Sequence, residues 1–88
     1  MFQLVLTKRF GRNLRVFLKK HPELESTLKE KLTILQKNPK DSRLKAHKLT
    51  GRLKGFFGAS LTYEHRLVFY FDKKYIFLLA IGTHDEVY

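Results

Sequence analysis

Apolar positions along this chain change period once, and the change divides it into two halves. Phe2, Leu4 and Leu6 recur at every second position, which predicts a short first strand. Phe10, Leu14, Phe17 and Leu18 then fall at helical spacing, so a helix is expected over roughly residues 8–20, with Thr7 as its cap. Its opposite face carries Arg9, Arg12, Arg15, Lys19 and Lys20. Gly11 weakens it by about 1 kcal/mol relative to alanine. His21-Pro22 breaks the pattern, because proline disfavours helix at the residue before it but is welcome in a first turn. A second helix follows over about 22–37, with Leu24, Leu28, Leu32 and Leu35 as its apolar stripe. Glu23 and Glu25 stand at its start and Lys31 and Lys37 toward its end, as the helix dipole prefers. After the Asn38–Ser42 loop and a turn at Gly51, strands are expected at 55–61, 65–71 and 75–81, with Asp72-Lys73-Lys74 as a hairpin turn. The element order is β-α-α-β-β-β. It specifies one α+β domain over residues 1–88, two layers deep, with an antiparallel helix hairpin packed on an antiparallel sheet.

Composition narrows the function. The 88 residues suffice for one compact domain, and 43% apolar content permits a real core. With no cysteine there is neither a disulfide framework nor a thiolate metal site, and an intracellular, cytoplasmic protein is expected. Phe2 to Leu6 is too short for the apolar core of a secretory leader, and no apolar run approaches a membrane span. The net charge is +10. Residues 1–60 hold fifteen basic and four acidic side chains, whereas residues 61–88 hold three and four. Such a field favours a polyanion: nucleic acid first, an acidic protein second, an anionic membrane third. Arg43, Lys45, His47, Lys48, Arg52 and Lys54 concentrate it within a dozen residues.

The candidate chemistry lies at the far end. Gly82-Thr83-His84-Asp85-Glu86-Val87-Tyr88 follows the apolar run Tyr75–Ile81, so the tail is expected to be held at the edge of a rigid sheet. His84 can exchange a proton there, and Tyr88 offers a ring or a hydroxyl. His21 reads as a cap or a solvated residue, His65 as the start of a strand, and no histidine pair has metal-ligand spacing. RNA cleavage without a metal needs an acid, a base, cations for the charged phosphorane, and an aromatic to hold a base out of its stack. His47, His84, Glu64, Lys54, Arg66 and Tyr88 can supply that set if the turns of the sheet bring them together. Each also has an ordinary reading. Lys54 and Arg66 serve equally as outward strand cations, Glu64 as a turn carboxylate, and Tyr88 as a ring packed on the core.

The segments His47-Lys48-Leu49-Thr50-Gly51 and Leu53-Lys54-Gly55-Phe56, the strand His65–Tyr70 and the ending Gly82-Thr83-His84 resemble the RelE/ParE superfamily of bacterial type II toxins, and within it the YafQ-type mRNA interferases. The resemblance implies a ribosome-dependent endoribonuclease without a cofactor. It also implies that a cognate antitoxin folds around the toxin in a hetero-oligomer. His84 is then the general acid, and His47 or Glu64 the base. Arg66 supports the phosphate, and Tyr88 stacks on a base beside the cations Lys48, Arg52 and Lys54. The chain departs from the pattern in three places: Ser60 stands where these toxins carry another histidine, Glu64 where aspartate is usual, and His65 where an aromatic is common. Two other readings compete: a ParE-like toxin acting on a topoisomerase, and an RNA-binding module without chemistry.

Overall fold

A computed structural model describes residues 1–88. Strand β1 (Gln3–Leu6) leads into helix α1 (Lys8–Lys20), a 3-10 turn (Pro22–Leu24) and helix α2 (Glu25–Lys37). The sheet continues with β2 (His47–Lys48), β3 (Phe57–Ser60), β4 (His65–Phe71) and β5 (Tyr75–Thr83), and a one-turn helix α3 (His84–Val87) closes the chain. Thr7 caps α1 as expected, accepting from the Phe10 amide at 3.1 Å. Its hydroxyl also donates to the Leu78 carbonyl at 2.8 Å, tying the helix start to β5. The second helix begins later than residue 22 because Pro22 starts a tighter turn before the α-helical ladder is established.

The five strands run in the order β1-β5-β4-β3-β2. The meander from β2 to β5 is antiparallel, and β1 joins it parallel to β5. The two-layer α+β arrangement is therefore present, with one parallel pair in the sheet. It also contains a strand absent from the sequence reading. His47 and Lys48 pair with Gly58 and Phe57, so His47 lies on an edge strand rather than ahead of the sheet. Two residues are too few for periodicity to reveal.

Strand β5 lies between β1 and β4, inside the sheet, so the tail does not follow an edge strand as expected. This accounts for much of its apolar sequence: both flanks are paired, the helices cover one face, and α3 covers the other around Ala80, while Tyr75, Phe77 and Leu79 stay half-buried. Ile76, Leu78 and Ile81 all join the core under the helices, although their spacing is not strictly two. The register between β4 and β5 slips by one after Val68, and the extra residue, Leu79, restores the phase.

The main core joins Phe10, Phe17, Leu28, Ile34 and Leu35 of the helices to Leu67, Phe69, Ile76, Leu78 and Ile81 of the sheet. A second, smaller cluster on the other face contains Val68, Ala80 and Val87. His21 neither caps a helix with its side chain nor faces water freely. Its ring packs at 5.2 Å from Phe17 and 4.9 Å from the buried His65. No helix is long and apolar enough to cross a membrane.

Three carboxylates tie down turns and set an acid limit. The Arg43 side chain beside Asp41 holds its carboxyl down to about 2. The Tyr75 and Lys74 amides lower Asp72, and the Thr83 amide lowers Glu86. A depressed folded-state value contributes stability above the unfolded value that disappears as pH falls through the folded one. The urea midpoint is therefore expected to fall between about pH 5 and pH 2. The fall should be smaller in Asp72→Asn, measured by circular dichroism; an unchanged pH profile would contradict this role.

Candidate functional site

On the sheet face away from α1 and α2, small residues alternate along the strands. His47, Gly58, Val68 and Ala80 lie in one cross-strand row, and Ser60, Arg66 and Gly82 in the next. Gly58, Ser60, Ala80 and Gly82 leave a shallow hollow, and α3 folds back over it. The turn is set by a capping box: Thr83 accepts from the Glu86 amide at 3.3 Å, and Glu86 accepts from the Thr83 amide at 2.8 Å. A methyl group on Gly82 would come within 2.9 Å of the Glu86 carboxylate, so glycine makes room for this cap. Val87 is buried against Val68 and Ala80, which swings Tyr88 into the hollow.

Tyr88 is the common neighbour of the two candidate histidines. The His84 ring stands 4.6 Å from the Tyr88 ring at 84°, and the His47 ring 6.4 Å away at 82°. The phenol points at Gly58, where a side-chain methyl would overlap the hydroxyl and lie 3.2 Å from His47 Cε1. The Tyr88 hydroxyl is buried without a hydrogen-bond partner. Burial pushes its pKa up, against an opposing pull from the Arg66 charge. Arg66 is fixed from behind: its Nη1 donates to the carbonyls of Thr62, Tyr63 and His65 at 2.8, 3.1 and 3.0 Å. Arg52 reaches the main-chain oxygen of Tyr88 at 3.5 Å.

Of the residues singled out from sequence, the fold gathers His47, His84, Tyr88, Arg66 and Arg52 around this hollow. It does not bring Glu64 there by any contact. Glu64 is exposed in the β3–β4 turn, and its carboxylate forms no ion pair. Lys48 and Lys54 line a separate hollow with Leu49 and Phe56. No three His, Cys, Asp or Glu side chains converge as a metal-binding group. Gly58 escaped the sequence reading because its role depends on a residue thirty positions away. The capping box escaped it too, although Thr83-x-x-Glu86 has the spacing that could have revealed it.

Gly58→Ala tests the packing directly. It is expected to displace the Tyr88 ring and to cost roughly 1–3 kcal/mol, the range for forcing extra volume into a packed site. Urea unfolding and the aromatic NMR shifts of Tyr88 would measure both effects. Unchanged shifts would show that the ring does not occupy this seat.

The profile of the family described as "Bacterial toxin of type II toxin-antitoxin system, YafQ" matches residues 2–88. Among solved structures, YafQ from E. coli strain BL21(DE3) superimposes with a TM-score of 0.85 at 21% identity, covering 100% of this chain and 99% of that one. The toxin in the E. coli DinJ-YafQ toxin-antitoxin complex gives 0.82 at 21% identity, covering 99% and 97%. The YoeB/ParE toxin from Agrobacterium tumefaciens gives 0.79 at 16% identity, covering 94% and 99%. Among curated proteins no relative matches. These likenesses establish the fold, and the match along nearly the whole sequence establishes the kinship. The chain belongs to the YafQ family, bacterial toxins of type II toxin-antitoxin systems.

Proposed function

We propose that this toxin is a ribosome-dependent mRNA endoribonuclease that needs no metal for its chemistry. The observation that carries the reading is the packing of His47 and His84, 37 positions apart in sequence, against one tyrosine ring in a hollow that also feels the Arg66 charge. One imidazole takes the proton from a ribose 2′-hydroxyl as its oxygen bonds to the adjacent phosphorus. The other protonates the 5′-oxygen as its bond to phosphorus breaks. The products are a 2′,3′-cyclic phosphate and a 5′-hydroxyl. His47 is favoured as base over Glu64, which has no contact with the hollow, and His84 as acid. Arg66 stabilises the doubly charged phosphorane.

Tyr88 occupies the place the reacting nucleotide would take. Its hydroxyl has no partner, so moving the ring out breaks no side-chain hydrogen bond. Once displaced, the ring is free to stack on a base. The net charge of +10 suits ribosomal RNA and equally an acidic antitoxin segment. By analogy with the E. coli DinJ-YafQ complex, a cognate antitoxin would hold this chain in a hetero-oligomer in the cytoplasm.

The test supplies purified protein to translating ribosomes and maps mRNA ends by primer extension, beside a gyrase supercoiling assay. Cuts within the decoding site support the reading. Intact mRNA from folded protein overturns it, and inhibited supercoiling would assign a ParE-like action instead.

A further inference from the structure

A second cationic cavity, of about 550 Å³, adjoins the hollow. Its walls come from the β3–β4 turn, the approach to β2 and the middle of α2, and they include Lys31, Arg43, Lys45, His47, Arg66 and Tyr63. No carboxylate lines it. Asp41 pairs with Arg43 through bonds of 3.0 and 2.8 Å from outside the wall, and Lys31 donates to the Arg43 carbonyl at 3.3 Å. His47 and Arg66 belong to both spaces, so the cavity continues the proposed reaction site. Lys45 holds a left-handed backbone conformation at φ 49°, a position where glycine would be less strained.

Tyr63 is the unusual member of this wall. It is 95% exposed, so its ring contributes little to folding. Yet the turn that carries it is rigid. Thr62 Oγ1 accepts from the Glu64 and His65 amides at 3.2 and 3.1 Å, and Arg66 clamps the Thr62 and Tyr63 carbonyls. A planar ring held out on a tied turn beside Lys31, Lys45, Arg66 and the Asp41-paired Arg43 has the form of a stacking platform for single-stranded nucleic acid.

We infer that this cavity seats a nucleotide just beyond the pair joined by the scissile link, with its base stacked on Tyr63 and its phosphate held by Lys31, Arg43 and Lys45. The inference rests on the ribonuclease reading above and extends it to substrate grip. An acidic peptide would use the cations but has no need of the exposed ring, and continuity with His47 and Arg66 favours RNA.

The experiment titrates the full chain with 2′-O-methyl oligouridylates of two and six nucleotides, which resist cleavage, and follows fluorescence anisotropy at several salt concentrations. The wild-type protein should bind the hexamer more tightly than the dimer. Tyr63→Ala should weaken the hexamer at least about fivefold and leave the dimer unchanged. Lys45→Ala should lower the salt dependence for the hexamer. Circular dichroism checks the fold of each variant; both positions are exposed. Equal hexamer binding by wild type and Tyr63→Ala overturns the inference, as does a wild-type protein with no length preference. So does hexaglutamate binding that depends on Tyr63 when oligouridylate binding does not. The ribosome assay separates the two readings. Cleavage without a Tyr63 effect leaves the nuclease standing and removes this seat. A Tyr63-dependent hexamer with uncut mRNA leaves an RNA-binding track and removes the nuclease.

Discussion

His84→Ala is expected to reduce ribosome-dependent mRNA cleavage by about 100-fold or more, the usual loss when a positioned general acid is removed. The side chain is 68% exposed, so its removal creates no core cavity, and the variant should fold. Its ring packs edge-on to Tyr88, which makes the truncation also a test of whether that ring needs support. His84→Gln separates the two roles, because it keeps a polar side chain near Tyr88 but donates no acidic proton. Equal losses in both variants identify proton transfer; rescue by glutamine identifies positioning. His47→Ala is expected to lose a similar factor, and the double variant little more than either alone, since an acid and a base that act in one step are not additive. Folded His84→Ala protein that cuts mRNA at the wild-type rate would remove His84 from the chemistry.

The largest stability effect is expected at Phe69. Its ring is fully buried on β4 and packs at 5.8 Å from Phe57, with Phe71 at 6.2 Å. Phe69→Ala removes the ring from a site walled by strands and helices that cannot easily collapse. The cost should be about 3–5 kcal/mol. Small domains hold only about 5–15 kcal/mol in total, so the variant should be only marginally stable or largely unfolded. Urea unfolding at pH 7 measures this. A loss below about 1 kcal/mol would mean that the sheet repacks around the gap, against the close packing expected of such a core. Phe69 is in the helix-side core and Tyr88 on the opposite face, so the two tests are structurally separate.

Much of this architecture was legible from residue order. The stripe Phe10, Leu14, Phe17 and Leu18 marked α1 to its observed limits, and Thr7 marked its cap. Asp72 made the expected hairpin turn, and a turn was expected at Gly51, which the structure holds in a left-handed conformation at φ 67°. The Tyr75–Ile81 run was visible as a buried strand, although the strand extends two residues further because Gly82 and Thr83 pair with Arg66 and His65. His47, His84, Arg66 and Tyr88 were visible as chemically suitable types. Glu64 was equally suitable by type, and only its exposed turn position separates it from them.

Helical and strand periods, caps and turns depend on neighbours a few positions apart, so the order of residues determined them unaided. It also determined the surplus of positive charge. Pairing partners are set by strand order and register, which depend on the whole packed sheet. Tertiary structure alone therefore placed β5 inside the sheet, turned His47 into an edge-strand residue, and set Gly58 beneath the Tyr88 hydroxyl. The hollow exists because small residues from β3 and β5 fall in adjacent rows across β4. Nothing local to any one of those strands encodes that coincidence.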